Sequence, residues 1–191
     1  SAQEGRHVEA AEHFRRALQH NAGDAASRQG LGLSLQALGR TDEAIEQYRE
    51  VVRVDDAPPD AHYLLASALS ARQQGAEASR HYRRALELRP DWPFPMVGLA
   101  LLLAADPDPA VRRPGEALVL ATRAVRLPPS PLPAAVAARA AALAALGEFD
   151  QALAAAKSAL AVAEEGGQAE LADEIRRHIV RYRLRQPLFE P

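Results

Sequence analysis

An alanine recurs every 34 residues in the first half of the chain, and an aromatic residue follows each copy at a fixed distance. The spacings between the alanines are 44 − 10 = 34 and 78 − 44 = 34. The alanines are Ala10, Ala44 and Ala78, and the aromatics four residues later are Phe14, Tyr48 and Tyr82. Residues four apart lie on one face of a helix. The pattern predicts helices that approach closely at the alanine and fill the neighbouring space with the ring.

The unit that repeats is a pair of short amphipathic helices, and the stretch from Pro59 to Pro90 shows it best. Its first helix carries Leu65 and Leu69 on the apolar face, and its second carries Ala78 and Tyr82. Gly75 is predicted to make the turn between them, as are Gly39 and Gly147 in two other pairs. A single pair cannot bury its apolar face alone, so the copies must stack on one another.

These in-phase pairs resemble the tetratricopeptide repeat, which has the same period and the same alanine-to-aromatic spacing. Leu31, Gly32 and Leu35 match the family's Leu-Gly-x2-Tyr pattern, with leucine in place of tyrosine. The resemblance implies an all-α fold, a right-handed superhelix of stacked antiparallel helix hairpins. Residues 101–125 also resemble a repeat found in tetratricopeptide tails of larger bacterial proteins.

The repeat register divides the chain into six segments. Residues 1–24 are predicted to be the second helix of a truncated repeat, with a turn at Gly5 and a helix from Val8 to His20. The chain is then either a fragment of a longer protein or begins with a repeat that lacks its first helix. Repeats follow at 25–58, 59–92 and 93–132, a degenerate repeat at 133–166, and a capping helix with a tail at 167–191.

Two irregularities mark the second half. The repeat at 93–132 contains an inserted loop between its helices, because Ala117 follows Ala78 by 117 − 78 = 39 residues. Asp108-Pro109 in that loop is expected to start a single helical turn. In the degenerate repeat, Arg139 stands where leucine is expected, so it either leans outward or loosens the packing.

The two ends, Ser1–Glu4 and Pro187–Pro191, are expected to fray.

Composition and motifs exclude several classes of function. The net charge of −2 gives no electrostatic case for nucleic-acid binding. The chain has no cysteine and no HExxH, Walker or nucleophile motif, so we expect no metal site, no cofactor and no enzymatic activity. No apolar run is long enough to insert into a membrane. We expect a soluble protein, in the cytoplasm rather than the periplasm.

The resemblance places the binding surface on the first helices, which line the concave face in this family. Projected onto this sequence, the predicted peptide-binding residues are Gln29, Leu33, Tyr63, Leu64, Ser67, Phe94, Val97 and Leu101. Tyr63 and Phe94 are the expected anchors, although both rings could instead pack between hairpins. The basic clamp of chaperone-binding members is absent, because Gln29, Leu33, Leu64, Phe94 and Gly98 stand on this face. The asparagine ladder of sugar-transferase members is also absent, since Asn21 is the only asparagine.

Two functions remain open at this point. The first is a protein-interaction scaffold that binds a peptide or partner segment in an apolar concave groove. The second is an accessory repeat domain of a larger enzyme or membrane protein whose chemistry lies outside this chain. Self-association through the N-terminal helix is also expected, by way of Val8, Ala11, Phe14 and Leu18, because their apolar face has no partner helix in the register.

Overall fold

The computed structural model describes residues 2–54, 56–127 and 132–189, and the regular elements within these ranges are all α-helices. The predicted all-α fold of antiparallel helix hairpins is therefore confirmed. The helices are α1 (Ala2–His20), α2 (Ala25–Ala37), α3 (Thr41–Val52), α4 (Pro59–Ala71), α5 (Gly75–Leu88), α6 (Pro93–Ala105), α7 (Pro114–Arg126), α8 (Pro133–Ala145), α9 (Phe149–Glu165) and α10 (Ala169–Arg183).

The helices form two compact units, Ser1–Leu88 and Arg89–Pro191. In the first unit each helix packs on the next, from α1 through α5. In the second unit α6 packs on α7 and also directly on α8, and α8, α9 and α10 complete the stack. The close approach of α6 and α8 follows from the composition of α8, which is mostly alanine and buries ten of its residues.

A common turn joins the helices of three hairpins. Gly39 and Gly147 adopt positive φ, and the amide that follows each donates to a carbonyl five residues back, as in a Schellman motif. Between α4 and α5, however, the residue with positive φ is Gln73, at 57°, while Gly75 is the buried first residue of α5. The prediction of a turn at Gly75 is wrong by two residues. The repeat register places the turn at 39 + 34 = 73 whatever residue stands there.

Two aromatic rings pack directly on glycines in the first unit. The fully buried ring of Tyr48 lies so near Gly32 that an added Cβ would come within 2.3 Å of it. Phe14 lies equally close to Gly30, where the corresponding distance is also 2.3 Å. The Tyr48 hydroxyl donates a hydrogen bond of 2.7 Å to Gln36 Oε1, which satisfies its polar end. These contacts fix α1 and α3 on α2.

The N-terminal helix begins earlier than the register predicts. Helix α1 runs from Ala2, so Gly5 lies inside it and makes no turn. A Cβ added at Gly5 would meet no atom within 4 Å, so no packing contact requires a break there. Gln3 and Glu4 are helical rather than frayed, and Glu4 lies in the first turn, where a negative charge favours the helix dipole. Ser1 lies outside the described residues.

The inserted loop and the chain's tail are both ordered by local contacts in the second unit. At Asp108 the chain makes a hydrogen-bonded turn and not the predicted helical one, with Ala110 N donating to Asp108 Oδ1 over 2.8 Å. The tail is not frayed as far as Phe189, since Leu188 packs on the core of α8–α10. The Arg112 guanidinium lies 4.1 Å from the centre of the Phe189 ring. The last two residues, 190 and 191, lie outside the described part of the chain.

Candidate functional site

The predicted contact residues of the first unit lie on α2 and α4. On α2, Leu33 is 49% exposed, and Gln29 is half-buried with its Nε2 enclosed and without a hydrogen-bond partner. On α4, Tyr63, Leu64 and Ser67 are all half-buried. Of these residues, the exposed Leu33 is the one on α2 that a partner could reach most fully.

Tyr63 is partly committed to its own hairpin. Its ring centre lies 6.3 Å from that of Tyr82 on α5, with the two ring planes inclined at 49°. Burial raises the pKa of the Tyr63 phenol above its ordinary value. Tyr63 thus has features of both predicted roles. Its ring packs against Tyr82 within the hairpin, while its partial exposure leaves it able to act as a peptide anchor.

In the second unit, the predicted contact residues lie on α6 and differ widely in exposure. Phe94 is 51% exposed at the start of the helix, whereas Val97 is only 9% exposed and Leu101 is half-buried. Helix α8, the next first helix, presents buried alanines at the corresponding positions, among them Ala137 and Ala141. Phe94 is therefore the side chain that this unit offers most fully from the predicted set.

Sequence reasoning missed a cavity of about 550 Å³ between α7, α8 and α9. Its lining residues are Leu118, Thr122, Arg139, Leu143, Gln151, Ala154, Ala155 and Ser158. Arg139, expected either to lean outward or to loosen the repeat, is half-buried and lines this cavity. The one available signal was an arginine in a helix otherwise composed of alanine, valine and leucine after its initial proline.

Metal binding and membrane insertion find no support in the described parts of the chain. Within residues 2–54, 56–127 and 132–189, no three histidine or acidic side chains are grouped so that they could hold a metal ion. None of the helices in these ranges has both the length and the apolar character needed to cross a bilayer.

Comparison with known sequences relates the chain to one repeat family. Residues 1–68 and 35–94 match the tetratricopeptide repeat family. The chain is also 29% identical over 111 residues to the photosystem I assembly protein Ycf3 of Synechococcus elongatus. That match covers 52% of this chain and 64% of the relative, so the chain spans less than two thirds of the relative's length.

Comparison with solved structures extends the likeness to most of the chain. MamA superposes with a TM-score of 0.71 at 20% identity, covering 87% of this chain and 94% of MamA. YrrB, described as a tetratricopeptide protein with an unusual peptide-binding site, superposes with a TM-score of 0.68 at 18% identity, covering 91% and 86%. At these identities the likeness shows the fold alone. The family match over residues 1–94 identifies this chain as a tetratricopeptide-repeat protein.

Proposed function

We propose that this chain is a protein-interaction scaffold that binds an extended or helical segment of a partner on the apolar faces of its first helices. The observation that carries the proposal is the exposure of Leu33 on α2 and of Phe94 on α6, each about half exposed in a helix that otherwise buries much of its surface. Large apolar side chains held rigidly at a surface are typical anchors for a partner.

The relatives support the same class of function. Ycf3 is named as a photosystem I assembly protein, and YrrB is described as having a peptide-binding site. Binding by this chain would use Leu33 with Gln29 in the first unit and Phe94 with Leu101 in the second. Val97 is almost fully buried, so it would support Phe94 through the packing of α6. We expect the chain itself to bind and not to catalyse, whether it acts alone or within a larger protein.

The test is to select peptides that bind the purified chain from a displayed random library and to measure their affinity by calorimetry. Leu33→Ser should weaken selected peptides that bind the first unit, and Phe94→Ser those that bind the second, by about tenfold or more, as expected for hot-spot anchors. Val180→Ser is the matched control, because Val180 is a comparably exposed apolar residue on α10, away from the predicted surface. The Val180→Ser variant should bind the selected peptides with the same affinity as the unchanged chain.

Salt provides a second readout of the mechanism. Because the predicted contact residues carry no charge, affinity should change less than about threefold between about 0.05 M and 0.3 M salt. The proposal is overturned if no peptide is enriched, or if both serine variants bind as well as the unchanged chain while retaining its helical content.

A further inference from the structure

The cavity between α7, α8 and α9 contains a cation whose hydrogen bonds are incomplete. The Arg139 Nε is buried and has no hydrogen-bond partner, and the structure records no ion pair for this arginine within its described residues. A guanidinium is always charged and has five N–H donors. Buried donors without an acceptor are uncommon in folded proteins, so this group favours an acceptor supplied by a bound molecule.

The surroundings of Arg139 favour an anion. The cavity adjoins a second, smaller one of about 350 Å³ with which it shares Leu118 and Thr122. The lining residues of the two cavities include three arginines and no aspartate or glutamate, in a chain whose net charge is −2. Arg123 is already paired with Asp91 at 2.6 Å, which leaves Arg139 and the exposed Arg126 to attract a negative group.

The remaining lining residues indicate what the anion is attached to. Leu118, Leu143 and Ala155 form apolar walls, and Val119, which is 68% exposed, extends the apolar surface outward. Thr122 and Ser158 add hydroxyl groups, while Gln151 Nε2 is engaged by Glu148 Oε2 at 2.8 Å. Among the described residues, Arg139 is the one arginine that lines the larger cavity, and its aliphatic walls suit a planar carboxylate on an apolar chain better than a free phosphate, which needs several donors around it.

We propose that the cavity between α7, α8 and α9 binds an acidic, aliphatic segment of a partner protein, in which a glutamate or aspartate carboxylate pairs with the Arg139 guanidinium. The cavity lies between α7, α8 and α9 and shares no residue with the surface of the proposed function, whose residues lie on α2, α4 and α6. The two surfaces are thus tested separately, and a failure at one leaves the other standing.

The test uses the Arg139 Nε–H resonance of the ¹⁵N-labelled chain as a direct probe of the cation. Two peptides are titrated, acetyl-ALELA-amide and its neutral counterpart acetyl-ALQLA-amide. The glutamate peptide should shift the Arg139 signal and bind at least about tenfold more tightly than the glutamine peptide, because a charge-assisted hydrogen bond is replaced by a neutral one. This comparison uses the unchanged protein and does not depend on a variant folding.

Variants and competitors make the assignment specific. Arg139→Gln should abolish the preference for the glutamate peptide, while Arg177→Gln, which removes an exposed arginine from α10, should leave it unchanged. Sodium hexanoate and inorganic phosphate test the other sources of an anion. The proposal is overturned if the two peptides bind equally, if Arg139→Gln retains the preference, or if hexanoate or phosphate binds as tightly as the glutamate peptide.

Discussion

The Nδ1 atoms of His62 and His81 lie 3.0 Å apart across the interface of α4 and α5, and the two rings are stacked with centres 5.3 Å apart. At this distance one Nδ1 must donate a proton to the other, so the contact requires at least one neutral ring. Burial lowers the pKa of both histidines below 6.5. For His62, the positive charges of His81 and Arg84 lower the pKa further, and Glu87 opposes them.

The first prediction is that stability falls as the pH is lowered through the unfolded histidine pKa of about 6.5. The unfolded chain takes up protons that the folded histidines resist, so the stabilisation is fully present above pH 6.5 and is lost below it. Around His81, Arg80 and Arg49 act in the same direction as burial, and Glu77 opposes them. The melting temperature should drop by at least about 2 °C between pH 7 and pH 5.

A pair of variants isolates this contribution. Replacing both His62 and His81 by glutamine should flatten the pH dependence, while His13→Gln, an exposed histidine on α1, should not. Burial also lowers the pKa of His178, so the double variant should keep a smaller dependence of melting temperature on pH. An unchanged slope in the double variant would contradict the assignment.

The second prediction concerns the contact between Gly32 and Tyr48. Gly32→Ala places a methyl group 2.3 Å from a ring that is fully buried and cannot move aside, so it should destabilise the chain by about 1–3 kcal/mol. Gly115→Ala in α7 is the control, because no atom lies within 4 Å of its added Cβ. Chemical denaturation measures both variants, and equal midpoints would disprove the close contact.

The third prediction compares two turns of the same type. Gln73 has φ of 57° in the position that Gly147 occupies with φ of 82°. Gln73→Gly should stabilise the chain by about 0.5–1 kcal/mol, because glycine is not strained in the left-handed region. Gly147→Ala should destabilise it by about 1–2 kcal/mol for the same reason. If both substitutions shift the denaturation midpoint in the same direction, the turns are not equivalent.

The fourth prediction concerns the contact between the inserted loop and the tail. Phe189→Ala removes the ring beneath Arg112 and should increase amide hydrogen exchange in residues 106–113 by about twofold to fivefold, as expected for a cation–π contact of about 0.5–1 kcal/mol. Leu184→Ala is the control, since this exposed leucine follows α10 and its relative exposure is 64%. Identical exchange in the two variants would show that the ring does not order the loop.

The fifth prediction is self-association through α1. The expectation that the apolar face of α1 has no partner helix is wrong for Ala11, which is enclosed, and for Phe14, which packs on Gly30 of α2. Val8, at 43% exposure, and the half-buried Leu18 keep an apolar surface on this helix. Sedimentation velocity over a concentration series should therefore show a dimer that Val8→Glu disrupts and Leu184→Glu does not. A monomer at every concentration would remove α1 from the candidate interfaces.

The repeat pattern predicted the helical pairs and two of their turns because it depends on local spacing. Gly39 and Gly147 could be recognised since glycine favours positive φ, but Gln73 could not be recognised by residue type. Among the predicted contact residues, Leu33 and Phe94 are exposed as a binding surface requires, whereas Val97 is buried. Its burial depends on packing within the stack, which the projection of one helix does not include.

The cavity at Arg139 could not be predicted for a different reason. It combines Leu118 of α7, Arg139 of α8 and Ser158 of α9, which lie up to 158 − 118 = 40 residues apart. The sequence shows that Arg139 stands where leucine is expected, but only the arrangement of the three helices shows that this arginine lines a cavity. The ordered tail was missed similarly, because its contacts are with Arg112 and with the core of α8–α10.

The fit between Gly32 and Tyr48 also limits which hairpins could be exchanged for one another. One repeat later the same two positions hold Ala66 and Tyr82, and in the next two hairpins they hold Ala100 with Ala121 and Ala140 with Ala156. The combined size of the pair thus changes along the chain, from glycine with tyrosine to alanine with alanine. A chimera that joins α2 to α7 would place Gly32 opposite Ala121, two small residues, and leave a void. Each hairpin of this array is therefore a matched pair of helices, and grafting or shuffling must move both helices together.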